Sequence, residues 1–284
     1  MKKHLKNPKA LARNLRLRLG VIGCGAIGSR IARSVSKELK GIFTLSALYD
    51  IDLVRAKGLA ATIRHPASVV SSIDDLIDHA DVIVEAVNST AAGTIVKKSL
   101  LAGKTVLAMS VGRLLEHATL FPLARKSSGK LLLPSGAVAG LDALKAASSA
   151  GITKLTLTSS KPPAGFSGNA YIIEKGIDLD ALKKDTILFE GSVEDAVRYF
   201  PQNINVAAAV ALAAGPYAVL RVRIMVSPSA RCNSHEIFAE GPFGSITTRT
   251  DNTVCPDNPK TSYLAVLSGI QTLKGFAGNI RVGT

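Results

Sequence analysis

One histidine of the sequence lies in a dense polar cluster, in the segment RCNSHEIFAEG (231–241). His235 is flanked by Asn233, Ser234 and Glu236 and is followed by two apolar residues. An imidazole titrates near neutral pH, so this side chain could accept or release a proton during a reaction. A polar residue that begins a strand would give the same local pattern. The segment therefore offers a candidate general acid or base without deciding its role.

A second chemical signal is the glycine pattern in LRLGVIGCGAIGSRIARSV, which starts at Leu17. Gly23, Gly25 and Gly28 have the G-x-G-x-x-G spacing, and they follow an apolar strand pattern and precede a helical one. In that context the first glycine permits a tight turn, the second lets the backbone approach a pyrophosphate, and the third lets helix and strand pack closely. We therefore expect a dinucleotide to bind here, with its phosphates at the start of the helix. The corresponding amides are those of Ala26 and Ile27.

Asp50 ends the next predicted strand, at the distance from Gly28 that the dinucleotide pattern requires. A carboxylate at this position accepts hydrogen bonds from the adenosine ribose hydroxyls and repels a 2′-phosphate. NAD is therefore the expected cofactor. Arg55 lies five residues further on and could soften the repulsion, so NADP remains possible.

The elements around these residues alternate between strand and helix through the first half of the chain. The predicted strands are 17–22, 43–50, 80–87, 105–111 and 130–133, and two of the helices between them are 91–101 and 120–127. This order predicts an α/β fold with a doubly wound parallel sheet, the Rossmann fold. Ligands of such sheets bind beyond the carboxyl ends of the strands. The turns expected to line that crevice are 87–89, 110–112 and 135–137.

After Gly140 the pattern predicts a second, smaller α+β domain. Its expected helices are 141–149, 180–184 and a long one from Glu194, its expected strands are 154–159, 218–226, 235–240 and 245–249, and an irregular loop is expected at 161–165. A final helix is predicted at 261–274. The resulting division is a basic extension at 1–17, a dinucleotide-binding domain at 18–136 to which 258–284 return, and a substrate-binding domain at 137–257.

Composition narrows the possible partners. Hydrophobic residues make up 47% of the chain, aromatic residues 5%, and there is no Trp. Half of the net charge of +14 lies within residues 1–18, which hold seven Lys or Arg residues and no acid. That tail is a candidate targeting segment, and we expect it to be loosely docked. The rest lacks the basic runs with interleaved aromatics of a nucleic-acid groove, and no apolar run reaches the roughly 20 residues of a membrane helix.

We therefore expect a soluble, cytoplasmic protein that binds neither nucleic acid nor membrane. The three cysteines, Cys24, Cys232 and Cys255, form no C-x-x-C pair. This pattern indicates free thiols in a reducing compartment and no metal site.

Six motifs carry a resemblance to a known family. In chain order they are GVIGCGAIG, PSGAVAGLDAL, SSKPP, FPQNINVAAAVALA, NSHEI and NPKTSYLAVLS. Together they resemble the L-aspartate dehydrogenases, over roughly residues 19–275. The resemblance implies NAD(P)-dependent oxidation of L-aspartate to iminoaspartate, which feeds NAD biosynthesis. It further implies a homodimer formed through the sheet of the second domain and a catalytic role for His235.

The resemblance also assigns the nicotinamide side of the cofactor to Ala139 and Asn205, with Ala137 as the alternative to Ala139. Asn203 lies two residues before Asn205 and could orient the carboxamide or the substrate, although both amides could equally cap a helix. The substrate carboxylates need cationic or hydroxyl partners. The candidates are Lys161, Lys260, Thr261 and Ser262, among which the sequence does not choose.

Two other classes of protein remain open at this stage. One is another two-domain dehydrogenase, similar to homoserine dehydrogenase or dihydrodipicolinate reductase. The other is a nucleotide-sensing protein that kept the cofactor fold and has no catalytic function. His235 separates the last class from the enzymes, because a sensor has no need for an imidazole that faces the nicotinamide.

Overall fold

A computed structural model describes residues 16–63, 67–87, 89–117, 119–200, 204–256 and 258–283. Nearly all of the basic extension, residues 1–15, lies outside the described residues. The expectation that this tail is loosely docked therefore falls outside them too. Within the described part of the chain, no helix is both long and apolar enough to cross a membrane.

The chain folds into thirteen strands and eleven α-helices among the described residues. The strands are β1 (Leu17–Ile22), β2 (Phe43–Tyr49), β3 (Ser68–Val69), β4 (Val82–Glu85), β5 (Thr105–Ala108), β6 (Leu131–Leu132), β7 (Lys154–Lys161), β8 (Thr186–Gly191), β9 (Leu220–Val226), β10 (Asn233–Gly241), β11 (Gly244–Asn252), β12 (Val254–Cys255) and β13 (Asn258–Ser262). The helices are α1 (Ala26–Lys37), α2 (Leu53–Ala61), α3 (Ile73–Asp78), α4 (Ala91–Leu101), α5 (Val111–Leu114), α6 (Leu120–Lys126), α7 (Leu141–Ser148), α8 (Ala170–Glu174), α9 (Val193–Tyr199), α10 (Ile204–Ala214) and α11 (Tyr263–Ala277).

The first sheet has six strands in the order β3-β2-β1-β4-β5-β6, and all of its pairs are parallel. Every residue of β4 and β5 is buried, because helices cover both faces of a parallel sheet. This strand order places a topological switch point between β1 and β4, where ligands of such sheets bind. The predicted doubly wound sheet is confirmed.

The last helix packs against this first sheet. Val266, Ile270 and Leu273 of α11 share one apolar cluster with residues of β1, β4 and α1. The approach is close, because a Cβ added to Gly269 would lie 2.8 Å from the sulfur of Met109. Glycine therefore allows α11 to lie against the carboxyl end of β5.

The second sheet has five strands in the order β11-β10-β7-β9-β8, of which only the β7–β9 pair is parallel. Its buried side chains form a core with α7, α9 and the alanine-rich α10. The small side chains of α10 let this helix approach both α7 and α5, so it bridges the second sheet and the first. The predicted smaller α+β domain is thus confirmed as a mixed sheet with helices.

Several predicted elements differ from the structure. The helix expected at 180–184 is a turn, and the helix of this region is α8, capped by Asn169, which accepts a hydrogen bond from the amide of Ile172. The strand expected at 105–111 ends at Ala108, since α5 begins at Val111. The long helix from Glu194 is divided into α9 and α10, and Pro201, which lacks the amide a helix interior needs, lies between them. Strand β8 was not predicted.

The loop expected at 161–165 is also wrong in part. Lys161 is the last residue of β7 and pairs with Val226 of β9. Pro163–Phe166 form a short 3-10 helix. The two prolines therefore end the strand at Lys161, two residues later than the predicted end at residue 159.

Candidate active site

The turn between β1 and α1 contains three glycines, and a side chain would meet different surroundings at each of them. Gly23 has a positive φ of 93°, and a Cβ there would lie 2.5 Å from the carbonyl oxygen of Ala86. A Cβ on Gly28 would collide with the carbonyl of Gly23. Gly25 has an ordinary φ of −69°, and a Cβ would meet nothing within 4 Å. The protein itself therefore does not require glycine at position 25, whereas a pyrophosphate lying against the backbone would.

Helix α1 offers free amides beside that turn. Gly25 is its N-cap, no side chain of the described residues caps it, and its first turn holds no acid. The first amides of a helix have no partner within the helix, and the helix dipole favours an anion there. The first turn that contains Ala26 and Ile27 thus fits a phosphate group.

Asp50 lies directly beneath this turn and is 8% exposed. One carboxylate oxygen accepts a hydrogen bond from the amide of Cys24 at 2.7 Å, and the other accepts one from the amide of Asp52 at 2.8 Å. Each oxygen has a second lone pair for a ribose hydroxyl. Arg55 lies 3.7 Å from the same carboxylate, with its side chain 53% exposed.

Cys24 does not place a charge at the phosphate position. Its side chain is 3% exposed, and its sulfur lies 3.6 Å from the carbonyl oxygen of Tyr49, inside the apolar core. Burial, followed by the charge of Asp50, raises the pKa of the thiol to about 12. Cys24 therefore remains a neutral thiol at physiological pH. Cys232 and Cys255 are also free thiols.

His235 is the third residue of β10 and is only 6% exposed. It pairs in register with Ser159 of β7, and the Ser159 hydroxyl lies 2.9 Å from Nδ1 of the ring. Burial lowers the pKa of His235 to about 4, and the positive charge of Lys161 adds to this effect. The imidazole is therefore neutral near pH 7. In the tautomer that donates from Nδ1 to Ser159, Nε2 is unprotonated and can accept a proton.

Lys161, at the end of β7, is 7% exposed. Burial lowers the pKa of its ammonium group to about 8. Among the described residues the ammonium has no acid or hydrogen-bond acceptor, and it lies over the ring of Phe166, whose centroid is 6.0 Å away. A buried cation without an anion is costly, so this position suits the carboxylate of a ligand.

A cavity of about 260 Å³ opens beside Lys161. It is lined by the 3-10 helix after β7, by Asn169, and by the end of α9 with Arg198 and Phe200. Two cationic side chains thus line the same cavity. This arrangement can accommodate a small dianion.

The candidates for the nicotinamide side are held by hydrogen bonds that cross the two sheets. The side-chain oxygen of Asn205 accepts a hydrogen bond from the amide of Gly112 at 2.9 Å, which ties α10 to the start of α5. The carbonyl of Ala139 accepts a hydrogen bond from Thr248 at 3.0 Å. Ala137 is buried, and the hydroxyl of Thr250 lies between its carbonyl and the carbonyl of His235.

That network joins four segments. The carbonyl of Ala137 accepts hydrogen bonds from Thr250 at 2.8 Å and from Asn252 at 3.0 Å. Ser262 donates to Asn252 at 2.9 Å, and the hydroxyl of Thr250 lies 3.4 Å from the carbonyl of His235. The candidates Ser262, Ala137 and His235 are thereby connected.

The structure describes the other candidates for substrate contacts only in part. Thr261 is half-buried in β13, next to Ser262. Lys260 also belongs to β13, but its side chain lies outside the described part of the structure. Asn203 lies outside the described residues. The described residues contain no group of three or more His, Cys, Asp or Glu side chains that could hold a metal ion.

Sequence reasoning missed Ser159, Thr250 and Asn252, because their roles depend on which strands pair. Ser159 lies 76 residues from His235 in the chain, and only the register of β7 with β10 brings the two side chains together. Lys161 was named as one candidate among several, and its burial distinguishes it from the half-buried Thr261 and Ser262.

Comparisons with known proteins identify the families that the two halves of the chain match. The model of the family described as Aspartate dehydrogenase, C-terminal, matches residues 142–276, and the one described as Homoserine dehydrogenase, NAD binding domain, matches residues 23–134. The two matches divide the chain near the boundary between the two sheets. The second match supports a nicotinamide cofactor for the first domain.

Curated proteins and a solved structure extend the likeness to nearly the whole chain. The L-aspartate dehydrogenase of Methanosarcina mazei is 44% identical over 94% of this chain and 100% of that protein, and that of Methanosarcina acetivorans is 43% identical over the same shares. The crystal structure of aspartate dehydrogenase from Thermotoga maritima has a TM-score of 0.72 at 23% identity, and the match covers 94% of this chain and 100% of that chain. The sequence identity and the two family matches show that this chain belongs to the L-aspartate dehydrogenase family.

Proposed function

We propose that this protein oxidises L-aspartate to iminoaspartate and transfers the hydride to NAD(P)+. Family membership supports the reaction, and one structural observation carries the assignment of the site. A neutral, buried imidazole, His235, lies within electrostatic reach of a buried ammonium, Lys161, that has no anion among the described residues. A base beside a carboxylate-binding cation is what the oxidation of an amino acid requires.

Lys161 binds a carboxylate of the substrate in this proposal. L-Aspartate carries two carboxylates, and the cavity beside Lys161 also has Arg198 at its lining. An ammonium that is already desolvated binds an anion with a strong electrostatic interaction. Lys161 therefore supplies both affinity and orientation, while Thr261, Ser262, Lys260 and Asn203 remain further candidates for substrate contacts.

His235 takes the proton that the substrate ammonium must lose. Its Nδ1 is held by Ser159, so Nε2 is the nitrogen available for proton transfer. A carboxylate bound at Lys161 cancels the positive charge that helps to lower the pKa of the ring. Substrate binding therefore makes His235 a stronger base at the moment when it is needed.

The nicotinamide, when bound, accepts the hydride that leaves the α-carbon. The chain's own residues position the cofactor: Gly25, Ala26 and Ile27 receive the pyrophosphate, while Gly23 and Gly28 shape the turn. On the nicotinamide side, Asn205 has its amide nitrogen without a partner among the described residues, and Ala139, with Ala137 as alternative, supplies backbone.

NAD is the preferred cofactor in this proposal, with NADP as a weaker one. The carboxylate of Asp50 is fixed by two backbone amides, so it cannot easily turn away from a 2′-phosphate. Arg55 lies near the same carboxylate and is half exposed, so it can partly offset the repulsion.

The biological setting completes the proposal. We infer that the product enters NAD biosynthesis, that the protein is cytoplasmic, and that residues 137–257 bind the substrate and form a homodimer through the second sheet. Residues 18–136 and the returning segment 258–284 form the cofactor domain. These assignments rest on the family resemblance and on the position of the two sheets.

One assay tests the reaction. Purified protein is mixed with NAD+ and a panel of amino acids and hydroxy acids, and the absorbance of NADH is followed. We expect reduction with L-aspartate and none with homoserine or hydroxy acids. Turnover of another substrate would identify a different dehydrogenase, and NADH binding without any turnover would identify a nucleotide sensor.

A further inference from the structure

Glu85 is a carboxyl side chain with no exposure to solvent, at the carboxyl end of β4. It pairs in register with Ile22 of β1, so it lies at the switch point of the first sheet. No cation contacts it among the described residues, and the other three residues of β4 are apolar. A lone acid buried in such a strand destabilises the fold unless its oxygen atoms are hydrogen-bonded.

The carboxyl group of Glu85 joins the two turns that follow β4 and β5. The amide of Val87 donates to Oε1 at 2.8 Å, and the amide of Ser110 donates to Oε2 at 3.2 Å. The hydroxyl of Ser110 lies 2.8 Å from Oε1. Both turns lie at the edge of the sheet where the cofactor is expected.

The contacts of Ser110 indicate where the protons are. Its hydroxyl oxygen lies 2.8 Å from Oε1 of Glu85 and 2.5 Å from the carbonyl oxygen of Val87. A serine hydroxyl has one proton and can donate it to only one of these acceptors. When it donates to Val87, the short contact with Glu85 needs a proton on the carboxyl group. Burial raises the pKa of Glu85, while the hydrogen bonds from Val87 and Ser110 oppose that shift.

The hydrogen bonds between Glu85 and Ser110 also affect a residue of the second domain. Ser110 is the N-cap of α5, and the amide of Gly112 in that helix donates to Asn205 of α10. The orientation of Asn205 therefore depends on the turn that Glu85 holds through Ser110.

We propose that Glu85 is a positioning residue whose carboxyl group, in its neutral form, holds the turns at Val87 and Ser110 in the geometry that receives the nicotinamide half of the cofactor. The inference rests on the proposed function, because it needs a cofactor in this crevice. Glu85 touches neither substrate nor cofactor in this arrangement. It acts through Ser110 and, beyond it, through Asn205.

The test measures NADH affinity by fluorescence titration in Glu85→Leu, which keeps the bulk of the side chain and removes its hydrogen bonds. We expect the Kd for NADH and the KM for NAD+ to rise at least about tenfold, since two or more hydrogen bonds that shape the site are lost. The KM for L-aspartate should change much less. Glu85→Gln keeps part of the bonding and should show an intermediate effect.

Ser110→Ala provides a second route if Glu85→Leu does not fold. Its matched control is Ser99→Ala, because Ser99 is also buried and its hydroxyl donates to the carbonyl of Ile95 within its own helix. Ser110→Ala should weaken NADH binding about fivefold or more, whereas Ser99→Ala should leave it unchanged. Equal NADH affinities in both serine variants, or a Glu85→Leu protein that binds NADH like the wild type, would overturn the inference.

The protonation state has its own readout. The infrared difference spectrum between the wild type and Glu85→Gln at neutral pH should contain the carbonyl band of a protonated carboxyl group, and a carboxylate band in its place would contradict the neutral form. Failure of the proposed function is distinguishable, because then the wild type itself would bind no NADH or would not oxidise L-aspartate.

Discussion

His235 and Ser159 face each other across β10 and β7, with the serine hydroxyl 2.9 Å from Nδ1 of the ring. Both side chains are buried, and Ser159 is completely inaccessible. A ring held at Nδ1 by a neutral hydroxyl keeps its orientation without gaining a negative charge that would raise its pKa. The imidazole is thereby fixed and neutral, and in the proposed reaction its Nε2 takes the proton.

Replacement of His235 tests this role. His235→Asn retains a polar group near Nδ1, so Ser159 keeps a partner, while the base at Nε2 is lost. We expect kcat for L-aspartate to fall by about 10² to 10⁴, the usual effect of losing a proton-transfer group. The Kd for NADH should stay within about twofold, because the cofactor phosphates bind elsewhere. Wild-type turnover in this variant would leave His235 a purely structural residue of the strand.

The low pKa of His235 also predicts a pH dependence of stability. The unfolded chain binds a proton at this residue below about pH 6.5, whereas the folded protein binds it only below about pH 4. Between these values the unfolded state holds more protons, so the free energy of unfolding falls as the pH decreases from 6.5 to 4, by about 3 kcal/mol from this residue. Urea titrations at several pH values should show a smaller decrease for His235→Asn than for the wild type. Parallel curves would show that the ring is not buried as a neutral group.

Lys161→Met should separate stability from activity. At neutral pH the buried ammonium destabilises the fold, because burial lowers its pKa from 10.5 to about 8. Methionine removes the charge and keeps most of the length, so we expect the free energy of unfolding to rise by about 1 to 3 kcal/mol. The KM for L-aspartate should rise at least about tenfold as the carboxylate loses its partner.

Lys154 provides the control, since it lies on the same strand and is exposed. Lys154→Met should leave both the KM for L-aspartate and the catalytic rate unchanged. A Lys161→Met protein that is more stable and equally active would show that the cavity beside Lys161 does not bind substrate.

The first domain could be predicted from the sequence because its signals are local. The spacing of Gly23, Gly25 and Gly28 between a strand and a helix defines the turn, and Asp50 follows at the end of the next strand. Each signal lies within one β-α-β unit, so no knowledge of distant pairing is needed. Residue His235 was found in the same way, from its polar neighbours.

The surroundings of His235 could not be predicted, because they depend on contacts between distant segments. Ser159 and Lys161 reach it only through the pairing of β7 with β10, and two prolines after Lys161 suggested a loop where the strand continues. Glu85 was overlooked inside an apolar run. A carboxyl residue in a strand that is otherwise fully apolar is itself a signal, since acids are almost never fully buried unless they are paired.

Asp50 allows the cofactor preference to be tested by charge alone. Its carboxylate is 8% exposed and is held by the amides of Cys24 and Asp52, so in the proposed binding mode it presents a fixed negative charge to a 2′-phosphate. We expect kcat/KM to favour NAD+ over NADP+. Asp50→Asn keeps an acceptor for one amide and removes the charge, so the ratio of the two kcat/KM values should fall at least about tenfold, chiefly through KM for NADP+.

Replacement of Arg55 should change the ratio of the two kcat/KM values in the opposite direction. Its guanidinium lies 3.7 Å from the Asp50 carboxylate. Arg55→Ala removes the positive charge that offsets the repulsion, so the preference for NAD+ should increase. Measuring kcat/KM for both cofactors in the wild type, Asp50→Asn and Arg55→Ala gives the test. A wild type that favours NADP+ tenfold, or two variants that shift the ratio in the same direction, would mean that this carboxylate does not select the cofactor.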